Sequence, residues 1–405
     1  MQSPPTPNCR PILRAYLEAN PHSEDQLILY DPRRIGQPVV MSLLAVELAK
    51  RFDGERTLSE IRAEVMREYP QVQVPLDALL GLAAALDEAL LLESPRLRAV
   101  FEAPIRPPAC IGSYSGDPQE LRSQLAQLFT APGGPGKPEP VRRSASNLRA
   151  VLVPHMDYGR GNITYGHGFA ELIQNTSARV FVIIATSHYS GHRFSLTRQH
   201  FDTPLGLVET DQDYVTRLEN AYGPGLFDDP AAHVPEHSIE LEVVVLRYLL
   251  EDRPFRIVPL LVGSFGDCIH HQISPQSVED INRMVQALRT AEAGCSEEVC
   301  YLISGDLAHI GPKFNDRRMA AGPWLDESRA KDDELLKALG EADPEAYFNL
   351  IAAEKNVRRI CGLSPTWLTL AATQPRTGKV LHYQQYVEPN GHESVSFAAA
   401  AFYGT

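Results

Sequence analysis

The sequence predicts an α/β protein: a large layered domain with a mostly parallel central sheet flanked by helices, preceded by a small helical domain. Three observations lead to this prediction. After residue 145, apolar runs typical of buried strands alternate with helical stretches. Before residue 100, apolar residues recur with helical spacing. Between them, the Pro-rich stretch 103–108 suits neither a helix interior nor a central strand.

The Pro-rich stretch therefore marks a domain boundary. For a chain of 405 residues, the usual size of roughly 150 residues per domain allows two or three domains. We expect two, at 1–105 and 110–405. A second stretch rich in Pro and Gly, at 131–145, is interpreted as a surface loop inside the second domain.

The first domain is predicted to hold three helices and a short strand. An apolar helix lies near 39–51, and the capping box Thr57-Leu58-Ser59-Glu60 opens a second that ends near Tyr69-Pro70. A third helix covers about 76–90, and Leu90–Glu93 is predicted to be a strand. Three helices plus a β wing suggest a winged-helix-like module. It resembles the small peptide-recognition domains typified by the chaperone of pyrroloquinoline quinone biosynthesis, which implies a peptide or protein partner. A purely architectural role stays open.

In the second domain the predicted strands are 150–154, 180–185, 256–262, 299–304, 380–385 and 394–402. The predicted helices lie near 165–175, 211–222, 237–251, 275–293, 326–340, 344–354 and 364–373. Continuous apolar runs such as Phe181–Ile184 are typical of strands covered on both faces.

Charge and composition exclude several classes of protein. The net charge of −13 argues against a nucleic-acid partner, because duplex binding needs clustered Lys and Arg. Residues 1–100, with 11 basic and 14 acidic residues, give no basic patch either. Apolar runs are far shorter than the roughly 20 residues that span a bilayer, so no membrane association is expected. The start lacks a signal-peptide pattern and the six cysteines form no CxxC, so we expect a cytoplasmic protein with free thiols.

Three predicted strands deliver a histidine just past their carboxyl ends. Strand 150–154 leads to His155, strand 180–185 to His188, and strand 299–304 to Asp306 and His309. Singly, each is explained as a polar residue in a loop. Together they indicate a site, because ligands of open α/β sheets bind at this edge.

Two further segments carry reactive side chains. His237 and Glu240 lie three residues apart at the start of a predicted helix, where a cap is an equally good explanation. Cys361 precedes the helix near Ser364, and a thiol near a helix N-terminus favours the metal-binding thiolate, although a buried inert thiol is the default.

Histidines with an anionic ligand are a common way to hold a first-row transition metal. Two histidines and a carboxylate would indicate non-haem Fe(II), whereas a cysteine in place of the carboxylate also suits Cu(I) or Zn. The sequence contains no HExxH, P-loop, GxSxG or GxGxxG motif, which removes the common zincin, NTPase, α/β-hydrolase and dinucleotide-binding classes.

Six ordered motifs resemble the Memo family, in its bacterial branch called AmmeMemoRadiSam system protein B. They are VPHMDYGRGNITYG, ATSHYSGHRFSLTRQHFDTPLG, HVPEHSIELEVVVL, IVPLLVGSF, SGDLAHIG and RICGLSP, after an opening CIGSYSGDPQELRSQL. The resemblance covers about 110–405. It implies a fold similar to class III extradiol ring-cleavage dioxygenases, and iron or copper bound by two histidines and a cysteine.

Carried over by motif, the metal ligands fall on His155, His188 and Cys361. The resemblance implies that His309 acts as acid/base, that Asp306 lines the site or adds a ligand, and that His237 and Glu240 line the pocket. Two departures leave the ligand set open: Asp157 adds a carboxylate beside His155, and a second histidine expected after His188 is replaced by Tyr189, with His192 four residues beyond His188.

The function these residues predict is that of a metal-dependent redox enzyme using Fe(II), with Cu or Zn as alternatives. The family context adds an AMMECR-domain protein and a radical SAM protein as expected partners, with an undefined substrate delivered as a peptide or protein through the first domain. The alternative is a non-catalytic protein that binds a peptide, or a metal for transfer, in the same pocket. A zinc hydrolase is less favoured, since no motif places a general base beside a zinc-bound water.

Overall fold

The protein is described by a computed structural model that covers residues 4–139, 141, 146–251 and 253–404. The chain divides into two compact units, Met1–Ala103 and Pro104–Thr405. Each unit encloses buried apolar residues of its own, as expected of a domain.

The first unit opens with strands before its helices. Its elements are β1 (Glu18–Pro21), β2 (Gln26–Tyr30), β3 (Val39–Ser42), α1 (Leu43–Ala49), α2 (Leu58–Glu68), α3 (Leu76–Glu88) and α4 (Pro95–Glu102). The strands form an antiparallel sheet in the order β1-β2-β3. The predicted capping box is present, with Thr57 Oγ1 accepting from the Glu60 amide at 3.2 Å and Glu60 accepting from the Thr57 amide at 2.7 Å.

Two predictions for this unit were wrong. Residues 39–42 form β3 rather than the start of a helix, because Ser42 caps α1 by accepting from the Ala45 amide. Residues 90–93 form no named strand; Leu92 makes only an isolated bridge to Leu13. The apolar positions of 39–48 fit both periods, so spacing alone did not separate strand from helix. The winged-helix-like assignment stays a prediction.

The second unit alternates strands and helices. Its elements are β4 (Ile105–Arg106), α5 (Pro118–Thr130), β5 (Leu148–Val153), α6 (Tyr158–Asn175), β6 (Val180–Thr186), β7 (Phe194–Leu196), β8 (His200–Phe201), β9 (Glu209–Thr210), α7 (Gln212–Tyr222), α8 (His237–Leu249), β10 (Arg256–Val262), α9 (Gly266–His271), α10 (Glu279–Ala293), β11 (Val299–Ser304), β12 (His309–Ile310), α11 (Pro323–Gly340), α12 (Pro344–Ala353), α13 (Leu363–Thr373), β13 (Thr377–Val387) and β14 (Ser394–Tyr403). Short 3₁₀ turns lie at Pro275–Ser277 and Pro312–Phe314.

The predicted mostly parallel central sheet is confirmed. Its strands run in the order β12-β14-β5-β11-β6-β10-β7, with β13 paired to β14 and β9 to β10. The four central strands β5, β11, β6 and β10 are parallel, and their carboxyl ends lie within one residue of the same register, with Val153 beside Ser304, Ser304 beside Ala185 and Thr186 beside Val262. One edge of the sheet therefore collects the segments that follow β5, β6 and β11.

Helices cover both faces of this sheet. Alternate residues of β6 enter different apolar clusters: Val182 and Ile184 pack with residues of α7, α10 and α13, while Phe181 and Ile183 pack with residues of α5, α6 and α8. This is the pattern that a continuous apolar run predicts for a central strand.

Smaller features were not all anticipated. α5, α9 and the short strands β7–β9 and β12 were not predicted. α6 starts at Tyr158 rather than near 165, since Asp157 caps it there, and Asn162, at φ 44° and ψ −136°, kinks it. Of the loop expected at 131–145, residues 131–139 are turn and coil, while 140 and 142–145 lie outside the described residues. Within the described ranges, no helix has the length and apolar character required to cross a membrane.

Candidate metal centre

The carboxyl ends of three parallel strands bring predicted site residues together. His155, His188 and Asp306 each lie two residues past a strand, after β5, β6 and β11. Cys361 approaches from the segment before α13, with its Sγ atom 3.3 Å from Nε2 of His155. Ligand atoms of His155, His188 and Cys361 all lie within 4.8 Å of one another. Such a spacing suits a single ion bonded at about 2.0–2.3 Å to nitrogen and sulfur.

The orientation of His155 is set by a serine behind it. The Ser304 hydroxyl lies 2.6 Å from the carbonyl of Ser238, to which it donates, and 3.2 Å from Nδ1 of His155. Because the Ser304 hydroxyl donates its only proton to the Ser238 carbonyl, its oxygen must accept from Nδ1–H of His155. The lone pair of Nε2 is then directed towards Cys361. Burial, together with His188 and His237, holds the pKa of His155 well below its usual range, which favours the neutral, metal-binding form.

A buried carboxylate, that of Glu236, fixes the orientation of His188. Glu236 accepts from Nδ1 of His188 at 3.0 Å and from its backbone amide at 2.7 Å. Burial lowers the pKa of His188, but Glu236 and Cys361 outweigh it and raise that pKa to about 10. Burial alone would raise the pKa of Glu236, but the His188 and His237 imidazoles hold it well below its usual range. A carboxylate on Nδ1–H directs Nε2 of such a histidine towards a metal.

The sequence interpretation assigned Glu236 no role. This residue is the N-cap of α8 and accepts from the amides of His237 and Ser238 at 2.9 and 3.1 Å. An acidic residue directly before the predicted helix start was the available signal. Only tertiary packing, which brings the β6 end against the start of α8, shows that the same carboxylate also reaches His188.

Replacing Glu236 with glutamine is expected to weaken metal binding by about 10–100-fold, the usual effect of losing the carboxylate behind a histidine ligand. Competition of Zn(II) against a chelator would measure the affinity, with thermal melting as a check of the fold. Asp211→Asn is a matched control, because Asp211 is also a buried N-cap carboxylate, on α7, accepting from the Tyr214 amide at 2.8 Å. Equal affinities for Glu236→Gln and the unaltered protein would contradict this role.

Asp306 and His309 complete the same centre. A ligand atom from each lies within 4.8 Å of the other and of Cys361, and Asp306 Oδ2 is 3.6 Å from Nε2 of His155. Nδ1 of His309 donates to the Leu307 carbonyl at 3.1 Å, which leaves Nε2 as the proton acceptor. Burial lowers the pKa of His309 to about 4 and raises that of Asp306 to about 7. Burial disfavours the charged form of His309, so its imidazole is neutral near pH 7.

His237 and Glu240, predicted together, are separated by the structure. The ring of His237 lies 4.7 Å from that of His188 and 5.3 Å from that of His155, between centroids, so His237 shares the centre. The Glu240 carboxylate instead pairs with Arg106 at 2.5 Å and accepts from Tyr114 and from the Ala109 and Cys110 amides. Glu240 therefore clamps the segment after the domain boundary. Its assignment to the pocket is corrected, because these donors already occupy its oxygens.

The two supplementary ligands proposed from sequence also lie elsewhere. Asp157 caps α6 by accepting from the Arg160 amide and forms an ion pair with the same arginine. His192 is exposed. Neither belongs to a group of clustered metal-ligand side chains among the described residues. The ligand set therefore draws on His155, His188, Cys361 and the adjoining Asp306 and His309.

Two glycines let the Cys361 segment lie against the end of β11. A Cβ on Gly305 would stand 2.5 Å from Cα of Gly362, and a Cβ on Gly362 would stand 2.7 Å from the Asp306 carbonyl. The Gly362 amide donates to that carbonyl at 2.9 Å. Burial raises the pKa of the Cys361 thiol against an opposing hydrogen bond with His188. In the metal-free centre, burial therefore outweighs the thiolate stabilisation expected from the following helix.

Comparison with known proteins agrees with the motifs. The family described as "Memo-like protein" matches residues 106–401. A "MEMO1 family protein" of Aquifex aeolicus is 27% identical over 394 residues, covering 94% of this chain and 96% of the relative. Those of Thermus thermophilus and Caldivirga maquilingensis are 27% and 26% identical, covering 82% and 74% of this chain and 95% and 99% of the relatives. The sequence prediction is confirmed: the chain belongs to the Memo family.

Proposed function

We propose that the protein binds Fe(II) through His155, His188 and Cys361 and catalyses oxidation–reduction of an organic substrate. The observation that carries this proposal is the convergence of one imidazole nitrogen from each of two histidines on one cysteine sulfur, all within 4.8 Å. Both histidines are held through Nδ1, by Ser304 and Glu236, which directs their other ring nitrogens towards the metal position. His155 is neutral there, whereas a metal would displace the proton that the raised pKa keeps on His188. Bound iron would supply a centre that changes oxidation state and keeps open positions for reactants.

The surrounding residues suit the handling of a proton and the exclusion of water. His309 keeps Nε2 as a proton acceptor, and its ring packs edge-on against Phe314 at 5.2 Å. Phe314 belongs to an apolar cluster with Met156, Val395 and Phe397. In this proposal His309 takes a proton from the substrate beside that apolar wall. Asp306, whose backbone carbonyl accepts from Gly362, keeps the strand end and the cysteine segment together.

Partners are proposed from the family resemblance. An AMMECR-domain protein and a radical SAM protein would act in the same modification pathway, with a peptide or protein substrate delivered through residues 1–105. The extradiol-dioxygenase-like fold of the second domain belongs to the same proposal.

A second candidate function is favoured by the thiol ligand. Cysteine replaces the carboxylate of the usual two-histidine oxygenase set, and softer ligands suit Cu(I) or Zn(II). The alternative is a non-catalytic protein that holds a metal for transfer, or a peptide, in the same pocket.

Metal analysis of anaerobically purified protein separates these functions. We expect iron at about one equivalent per chain, the stoichiometry of one ligand cluster. Treatment with nitric oxide should then produce the EPR signal of an iron–nitrosyl complex. Stoichiometric Cu or Zn without iron would overturn the Fe(II) proposal and favour transfer. Oxygen uptake with candidate phenols and peptides would separate a catalytic from a non-catalytic iron protein.

A further inference from the structure

A second buried carboxyl group lies behind the metal centre and has no role in the function proposed above. Glu242, on α8, has no exposed surface, and neither of its carboxyl oxygens has a hydrogen-bond partner among the described residues. An unpaired buried carboxylate is among the costliest groups in a protein interior. Its presence here therefore needs an explanation.

Its position relates it to His155. In α8, the amide of Glu242 faces the Ser238 carbonyl, four residues earlier. That carbonyl accepts from the Ser304 hydroxyl at 2.6 Å, and Ser304 in turn contacts Nδ1 of His155 at 3.2 Å. The Ser304 hydroxyl also lies close enough to the carboxyl group of Glu242 to lower its pKa, so Ser304 stands between that carboxyl group and His155.

The groups around Glu242 favour its uncharged form in the metal-free protein. Tyr158 and Tyr165 are also buried nearby, but their hydroxyls donate to the Leu241 and Met156 carbonyls at 2.7 Å each. Burial raises the pKa of Glu242 well above its usual range; Ser304 opposes the shift and the nearby Asp306 adds to it. A negative charge at Asp306 disfavours a second one at Glu242, so a cation bound beside Asp306 acts in the opposite direction.

We propose that Glu242 is a neutral carboxylic acid in the metal-free protein, and that it releases its proton to solvent when a divalent metal occupies the centre. The resulting carboxylate accepts from Ser304, which turns its hydroxyl away from the Ser238 carbonyl while still accepting from His155. A carboxylate–serine–histidine relay then balances the charge of the metal. This inference rests on the metal centre of the proposed function but not on its redox activity.

Zn(II), which is redox-inert, is the probe that tests it. Calorimetric titration of the metal-free protein in two buffers of different ionisation enthalpy counts the protons released per zinc. Glu242→Gln is expected to release about one proton fewer and to bind zinc about 10–100-fold more weakly, as for other residues behind metal ligands. Because the relay releases a proton, the loss of affinity should grow as the pH rises.

Two further measurements keep the test independent of folding and of redox function. Infrared spectra of the metal-free protein, recorded well above the pKa of Asp306, should contain a protonated carboxylic acid band that zinc and Glu242→Gln each remove. Glu242→Gln should melt no lower than the unaltered protein, since the acid it replaces has no partner to lose. Glu292→Gln is the control: Glu292 pairs with Arg149 and Tyr301, so it should lose stability but keep the proton count.

An unchanged proton count in Glu242→Gln, or the absence of that infrared band, would overturn the inference. Absence of iron from the purified protein would instead overturn only the proposed function, because zinc binding and its proton release do not depend on redox chemistry.

Discussion

Replacement of His155 by alanine is expected to lower metal affinity by more than about 100-fold, beyond the range for residues that act behind a ligand. His155 supplies Nε2 at the point where Cys361 and Asp306 also converge, 3.3 and 3.6 Å away. Alanine removes this donor, and His188 cannot move into its place, because its Nδ1 is held by Glu236. His188→Ala should have a comparable effect. Metal content after anaerobic purification and zinc competition would measure both.

The fold should survive these replacements. His155 contributes polar contacts to Ser304 and Asp306 rather than apolar packing, and the strands around it belong to the central sheet. His270→Ala is a suitable control, since His270 is an exposed histidine of α9. If His155→Ala and His188→Ala both retained full metal occupancy, the ligand assignment would be wrong.

Replacement of Arg106 by methionine is expected to destabilise the second domain by about 3–5 kcal/mol, the usual effect of breaking a buried ion pair. The side chains of Arg106 and Glu240 are 2% and 0% exposed, and their atoms lie 2.5 Å apart. Arg106 also donates to the His233 and Glu236 carbonyls at 2.6 and 2.8 Å. Methionine leaves the Glu240 charge uncompensated and these carbonyls without their donor.

Urea unfolding of the metal-free protein would measure this loss. Both tryptophans, Trp324 and Trp367, lie in the second domain, so their fluorescence follows that domain. Arg122→Met is the matched control, because Arg122 pairs with Glu251 at 2.7 Å on the surface, where such pairs contribute about 0–1 kcal/mol. Equal stability of Arg106→Met and Arg122→Met would show that the buried clamp has no special role.

The central strands were predicted correctly because the signal for them lies in the local sequence. The central strands are continuous apolar runs bounded by polar or turn residues, and β10 and β11 begin and end at the predicted residues. The first unit was harder, because its short strands β1–β3 are largely exposed or half-buried, and the apolar runs in β2 and β3 are short. The spacing of apolar residues is a weak indicator of secondary structure for strands of only four or five residues.

The sequence predicted the location of the site, but not the hydrogen bonds that orient its side chains. A histidine after each of two parallel strands must lie at the same edge of the sheet, which is a matter of topology. The partners that orient these histidines come from α8 and β11, more than 40 residues away along the chain in the case of Glu236 and His188. Spacing in the sequence carries no information on such contacts.

The sequence by itself thus determined the family, the alternation of strands and helices, and the edge at which His155, His188 and Asp306 gather. Only the tertiary structure decided that Glu236 and Ser304 set the two histidines, that Glu240 belongs to a buried clamp with Arg106, and that Glu242 is buried without a hydrogen-bond partner among the described residues. The physical reason is that local periodicity reports which face of an element is buried. The charge state and hydrogen bonding of a side chain depend instead on the groups packed against it from distant segments.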